Sequence, residues 1–341
     1  MTQRVLTERE LNRALLARQL LLKRVSAAIP RALERMGGLQ AQYAPSMYLG
    51  LWSRLADFDF ATLTRALQRR TVVQATLMRS TIHLVSRADY WRLAGATAPA
   101  RRQRLERAPL ELPPDGAMER LRAALAEGPL TRREVEALVG KPGARAANTY
   151  LHLVRVPPSG TWERRAADLW GLAEQWVGPP EDGDLVHLVR RYLTGFGPAT
   201  RQEVANWCGM TVADVAPALD ALELRRFAAE DGAELLDLPR LPLPGGDTPA
   251  PVRLLPTWDA MLLTHARRAE ILREDDRERI FSSRNPHSSP TVLVDGTVEG
   301  TWRIGDDGRI AVEPWRALEP AEQSGLEAVV GALERYLEMR R

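Results

Sequence analysis

GPLTRREVEALVG, residues 128–140, aligns without gaps on GPATRQEVANWCG, residues 197–209; seven of the thirteen positions match, at a spacing of 69 residues. In each copy a threonine stands three residues before a glutamate, Thr131 before Glu134 and Thr200 before Glu203. At that spacing the two side chains reciprocally satisfy backbone N–H groups at a helix start. Each copy closes on a glycine, Gly140 or Gly209, the residue that best tolerates a left-handed helix cap. Apolar stretches of helical period precede both copies, over 118–126 and 185–194. Helix, turn and short capped helix make the front half of a helix-turn-helix.

Outward from the second copy the pattern becomes that of a winged helix. Thr211 and Asp214 are spaced to cap another helix, with Val215, Ala218, Leu219 and Leu222 on one face. LRRFAAEDGAELLDL then reads as two strands around the Asp231–Gly232 turn. The first copy is less regular, because PPSG (157–160) falls where its wing should begin, and LTEREL (6–11) is a weaker third echo. Within residues 1–95, Pro45 suits a helix's first turn, 61–68 continues the helical period, and TVVQATLM and TIHLVS form a hairpin around Arg79–Ser80. Pro-rich stretches at 108–116 and 239–251 are linkers. Beyond them a strand meander with Asp–Gly turns at 295–296 and 307–308 leads into an amphipathic helix over 318–340. The expected fold is mainly α with β wings: tandem winged-helix units over 1–108, 117–177 and 184–239, and a β-rich C-terminal module over 252–341.

The net charge of +3 conceals an asymmetry. Residues 1–110 carry 19 basic and 7 acidic side chains, a net of +12, whereas the other 231 residues carry 28 and 37, a net of −9. Two readings stand: a polyanion partner docking on the N-terminal third, or solvated helix faces. Only Lys23 and Lys141 are lysines, which leaves 45 arginines. Arginine's planar fork suits phosphate and guanine, although a GC-rich coding sequence produces the same bias. One cysteine, Cys208, excludes an intramolecular disulfide framework and a four-cysteine metal site. No apolar run approaches the ~18 residues of a membrane span, and the charged start lacks a signal peptide's apolar core. The expectation is a soluble, monomeric, cytoplasmic protein.

Phosphate-loop, HExxH and GxSxG motifs are missing, and His83, His152, His187, His265 and His287 have no close metal-ligand spacing. Neither a metal nor another cofactor is expected. Asp275–Asp276, in a charge-dense helical stretch, reads as solvated surface. GGLQAQYAP, residues 37–45, stands apart. Side chains two residues apart converge only on extended backbone; on a helix Gln40 and Gln42 would diverge by about 200°. Two convergent carboxamides offer donors and acceptors without charge, enough to hold a water and present oxygen to a developing cation. The other reading is two polar residues decorating a loop.

LNRALLARQLLLKR (11–24), GGLQAQYAPSMYLGLWSRL (37–55) and MRSTIHLVSRADYW (78–91), with RLLPTWDAMLL (253–263) and TVLVDGTVEGTWR (291–303), are similar to the AlkZ-like and YcaQ-like DNA glycosylases. The likeness spans nearly the whole chain. It implies tandem winged-helix units with a β-rich C-terminal module, and removal of N7-alkylated purines from double-stranded DNA. In some relatives that activity extends to unhooking bulky adducts or interstrand crosslinks. Gln40-Ala41-Gln42 matches the Gln-x-Gln of the branch associated with azinomycin self-resistance, where the YcaQ branch has Gln-x-Asp.

An N7-alkylpurine is already cationic, so its glycosidic bond breaks without a strong general acid. The enzyme must add a placed water and support for an oxocarbenium-like sugar. Gln42 is the candidate to position the water, and Gln40 to support it or the sugar. With neither lysine near them in sequence, a lysine Schiff-base lyase is disfavoured, and the N-terminal amine is its remaining alternative. Arg79 at the hairpin tip, His83 on the return strand and Arg54 are the candidate DNA contacts. The alternatives are an exposed turn arginine at 79 and an inward, satisfied histidine at 83. Trp258 and Asp259 either support the site or anchor the C-terminal module. A non-catalytic winged-helix regulator is the alternative function; three units in one chain and no coiled-coil seam weigh against its usual symmetric dimer.

The asymmetry of charge gives the first prediction. Affinity for undamaged duplex should fall steeply with salt through counterion release. Neutralising several arginines in 1–110 should weaken binding more than the same number in 252–341. Fluorescence anisotropy across a salt series checks both; a flat plot or equal losses would refute the charge argument.

Overall fold

The computed structural model describes residues 3–109, 111–263, 270–282 and 285–339. The chain is mainly helical with smaller β-sheets, and its helix starts are set by the side chains that the sequence places there. Thr7 with Glu10, Thr131 with Glu134, Thr200 with Glu203 and Thr211 with Asp214 all form reciprocal capping boxes.

After strand β1 (Val5–Leu6) and helix α1 (Glu8–Arg18), one order of elements recurs three times. In the first segment it runs α2 (Ile29–Met36), β2 (Leu39–Gln40), α3 (Ala44–Arg54), α4 (Phe60–Gln68), β3 (Val72–Thr76) and β4 (Ile82–Ser86). The long α5 (Arg87–Arg107) follows, capped by Ser86. The second segment runs α6 (Ala117–Glu127), β5 (Leu130–Thr131), α7 (Arg132–Tyr150), β6 (Leu153–Arg155) and β7 (Leu169–Leu172), closed by the single turn α8 (Ala173–Trp176). Gly140, at φ 72° and ψ 170°, breaks α7 in two, so here the glycine kinks a helix; Gly209 ends its helix in a left-handed cap. The third segment runs α9 (Leu185–Phe196), α10 (Arg201–Cys208), α11 (Val212–Asp220), β8 (Arg225–Ala229) and β9 (Glu234–Asp237), with a bridge from Ala199 to Leu236 in place of the short first strand. In every segment that first strand or bridge pairs with the second strand of the hairpin.

The segments are sewn together. Ala75 of β3 pairs with Val154 of β6, which merges two hairpins into one six-stranded sheet of order β2-β4-β3-β6-β7-β5. PPSG lies inside the loop between β6 and β7, so the hairpin begins before it and the irregularity read from sequence is only a long loop. β1 runs parallel to β8, and Arg18 meets Asp237 bidentately at 2.7 and 2.9 Å. The residues that precede the first segment are therefore built into the third.

The C-terminal part contains β10 (Arg253–Leu255), α12 (Ala260–Leu263), α13 (Arg277–Ile280), the pair β11 (Phe281–Ser282) and β12 (Asn285–Ser288), the meander β13 (Thr291–Val294), β14 (Thr297–Ile304) and β15 (Ile310–Pro314), and α14 (Pro320–Glu338). β10 extends the meander as β10-β13-β14-β15. Asp275 is exposed, but Asp276 is buried and ion-paired with Arg273 and Arg279. That corrects the solvated-surface expectation for one of the two. The whole module is tied to α3 through Arg54, whose guanidinium meets Asp259 at 2.9 Å on both nitrogens with both side chains essentially inaccessible.

Removing one partner of such a pair leaves an uncompensated buried charge, worth about 3–5 kcal/mol of destabilisation. Asp259→Ala should lose stability of that order in urea denaturation, and Arg54→Met with Asp259→Leu should recover much of the loss.

Candidate active site

Two glycines feed the chain from α2 into the Gln-x-Gln segment. Gly37 caps α2 at φ 77°, and Gly38 follows at φ 85°. A Cβ at Gly38 would sit 3.1 Å from both the Leu84 carbonyl oxygen and Val85 Cγ1, so the turn needs glycine for space and for conformation. The backbone then extends: Leu39 pairs with Leu84, Gln40 with His83, and the Ala41 N–H donates to the Ile82 carbonyl at 2.7 Å. Pro45 lies in the first turn of α3, which takes over at once.

Both carboxamides have fixed orientations. Gln42 is exposed, and its Oε1 accepts from the Ile82 N–H at 2.9 Å. Gln40 is 5% exposed, and its Oε1 accepts from Arg79 at 3.2 Å. Each partner can only donate, so each amide must turn its oxygen toward the protein. One lone pair of each oxygen and both Nε2 groups remain without a partner among the described residues. Between the two, the Ala41 carbonyl accepts from Gln74 Nε2 at 3.3 Å.

Arg79 does not stand out from the hairpin tip. With φ at 54° its side chain folds back, and its guanidinium donates to the Trp207 carbonyl at 2.9 Å as well as to Gln40. Burial pulls its pKa down to about 10, so it keeps its charge at neutral pH. His83 shares the sheet face of Gln40, directly opposite it, and donates from Nδ1 to the Thr81 carbonyl at 3.0 Å. Burial, and after it the Arg79 charge, pushes His83 down to about 3. The inward, satisfied reading therefore holds for His83 in the free protein. Arg54 is corrected outright as a DNA contact: its donors go to Asp259 and to the Gln19 and Gly50 carbonyls, out of reach of solvent. Trp258 and Asp259 are buried with it, behind α3.

Sequence reasoning missed three residues that the fold brings to this segment. Gln74 is 1% exposed in the strand VVQAT, and a lone carboxamide directly after two valines is its signal. Arg165, in the loop between β6 and β7, donates to the Tyr43 hydroxyl at 3.3 Å. Tyr43 lies inside GGLQAQYAP itself, one residue after Gln42. Gly160 of the same loop packs on Gln74, so closely that a Cβ would fall 2.3 Å from its Oε1. Beside Arg79, a hollow of about 720 Å³ opens between α5 and the α10–α11 turn, lined in part by Arg104, Arg107, Asn206 and Gly209. No group of three or more metal-ligating side chains comes together among the described residues. His265 lies outside those residues, and only the backbone of His287 is described.

A recurrent helix–strand–helix–helix–hairpin chain, with two oriented glutamines on the first short strand and its exit, is the setting in which the comparisons fall. The model of the AlkZ-like DNA glycosylase family matches residues 33–336, and the chain belongs to that family. Among solved structures it is similar to the Streptomyces sahachiroi DNA glycosylase AlkZ, with a TM-score of 0.80 over 97% of each chain at 19% identity. No curated protein matches the sequence. No helix among the described residues is long and apolar enough to cross a membrane.

The depressed His83 makes stability depend on pH. Between its folded pKa of about 3 and the ordinary value of 6.5, the unfolded chain binds a proton that the folded chain refuses. This contribution is whole above pH 6.5 and falls by about 1.4 kcal/mol per pH unit as acid is added. His83→Gln should flatten the slope of unfolding free energy between pH 6.5 and 5, measured by urea titration at each pH.

Proposed function

We propose that this glycosylase hydrolyses the N-glycosidic bond of N7-alkylated purines in double-stranded DNA, as a monofunctional monomer whose three repeated segments act as winged-helix units. The observation that carries the reading is the exposed Gln42 amide, oriented by the Ile82 N–H. The second lone pair of Gln42 Oε1 accepts from a water whose oxygen attacks C1′. The C1′–N9 electrons pass into the cationic purine, which leaves neutral, and the water's second proton goes to solvent. Gln40, buried and held by Arg79, supports the developing sugar cation through its own oxygen. Uncharged amides suffice because the leaving group is already activated.

Lys23 and Lys141 are exposed and sequence-distant from the glutamines, which supports hydrolysis over a Schiff-base lyase. The net charge of residues 1–110 and the arginines around the α10–α11 turn suit the phosphate backbone. An open, exposed position for Gln42 also suits bulky adducts and crosslinks, whose second strand cannot be drawn into a closed cavity. Membership in a glycosylase family displaces the regulator alternative.

Gln42→Ala should slow excision of N7-methylguanine by about 10²–10³-fold with duplex affinity nearly unchanged. Gln40→Ala should also lose activity, and the double variant should fall short of the product of the two losses, because both act on one transition state. Gln42→Asp should retain some excision. Single-turnover cleavage at abasic sites, with thermal melts alongside, reads these effects; folded, DNA-binding single variants at the parent rate would end the glutamine hypothesis.

A further inference from the structure

Tyr43 follows Gln42 directly, and it keeps 39% of its surface exposed in a protein whose other described aromatic rings are buried or half-buried. Its position is not that of a loose surface side chain. Arg165 donates to its hydroxyl at 3.3 Å, and Arg165 is itself set over the Trp162 ring, 5.6 Å from the centroid. Trp162 in turn packs on Phe60 and Tyr48, with centroids at 4.4 and 5.8 Å. The loop between β6 and β7 thus plugs into α3 and α4 of the first segment and fixes the far end of an exposed ring beside the catalytic candidate. A ring held at its hydroxyl keeps its faces available.

We propose that Tyr43 is a specificity-determining residue whose ring rests against the alkylated purine and favours it for its positive charge. This rests on the reading of Gln42 given above. An aromatic face carries negative quadrupole density and attracts a cation. An N7-alkylpurine is a flat cation, whereas an unmodified purine is neutral. The attraction weakens as the glycosidic bond breaks, because the departing base becomes neutral. Tyr43 therefore strengthens recognition of the lesion and not the chemical step, in contrast to Gln42.

The test separates charge from shape. Duplexes carrying one 2′-fluoro N7-methylguanine, cationic and slow to cleave, are compared with duplexes carrying one 7-deaza-7-methylguanine, its neutral isostere. The wild type should bind the cationic duplex roughly three- to thirtyfold more tightly. Tyr43→Phe should keep that preference and Tyr43→Leu should lose it. On cleavable N7-methylguanine, Tyr43→Leu should raise KM with kcat near the parent value. A full charge preference in Tyr43→Leu, or none in an excising wild type, overturns the assignment and leaves the Gln42 reading standing. A wild type that leaves N7-methylguanine intact overturns both.

Discussion

A strand of two residues cannot hold itself in place, yet β2 must hold Gln40. Its register comes from outside: β4 supplies the backbone pairing, and α2 and α3 grip the segment at either end. The paired glycines let the chain reverse within two residues, and Pro45 lets α3 begin almost at once. Between these fixed points five residues remain, Leu39 to Tyr43, and each has a partner, Leu39 pairing with Leu84. Gln40 takes Arg79, Ala41 takes Ile82 and Gln74, Gln42 takes the Ile82 N–H, and Tyr43 takes Arg165. Preorganisation here is a backbone achievement first; the side chains inherit it.

The partners come from all over the chain. Arg79 bridges to α10 of the third segment through the Trp207 carbonyl, and Arg165 and Gly160 arrive from the second. The six-stranded sheet makes this possible, since pairing Ala75 with Val154 sets the β6–β7 loop beside β2's exit. A repeat usually stabilises by stacking like units; here it also delivers one loop and one helix end to a single short strand. Behind the strand, the Arg54–Asp259 pair ties α3 to the C-terminal module. A change far from the glutamines in sequence can therefore shift them.

Much of this was legible in the residues. Capping boxes announced the helix starts at Thr131, Thr200 and Thr211, because a local side-chain–backbone exchange needs only three-residue spacing. Asp–Gly pairs marked the turns at 231–232 and 295–296, where Gly232 and Gly296 do take positive φ. What stayed hidden was long-range. Nothing in the spacing of Arg54 says that it faces Asp259 across 205 residues, so a basic side chain was read as a DNA contact when it is an internal tie. Arg79 sits at a hairpin tip, and a tip suggests solvent; the left-handed backbone there sends the side chain inward. The PPSG interruption was a loop and not a break, because strand pairing tolerates a long connection that local pattern cannot see through.

The electrostatics of the site follow from the same geometry. Arg79 is buried beside Gln40 with no carboxylate at ion-pair distance among the described residues, and Arg104 lies close behind it, donating to the Arg79 carbonyl at 3.4 Å. A carboxylate at position 40 would neutralise that charge as a buried ion pair; an amide leaves it in force. Taken alone, such a field repels an N7-alkylpurine, which is itself a cation. The repulsion acts on the free base or nucleoside, but in DNA each lesion is flanked by phosphates, and the same field attracts them. On the function proposed above, positive surroundings and uncharged amides at positions 40 and 42 select the lesion only in its polymer. On the same proposal the base's own charge is left to the Tyr43 ring, which needs no countercharge to read it.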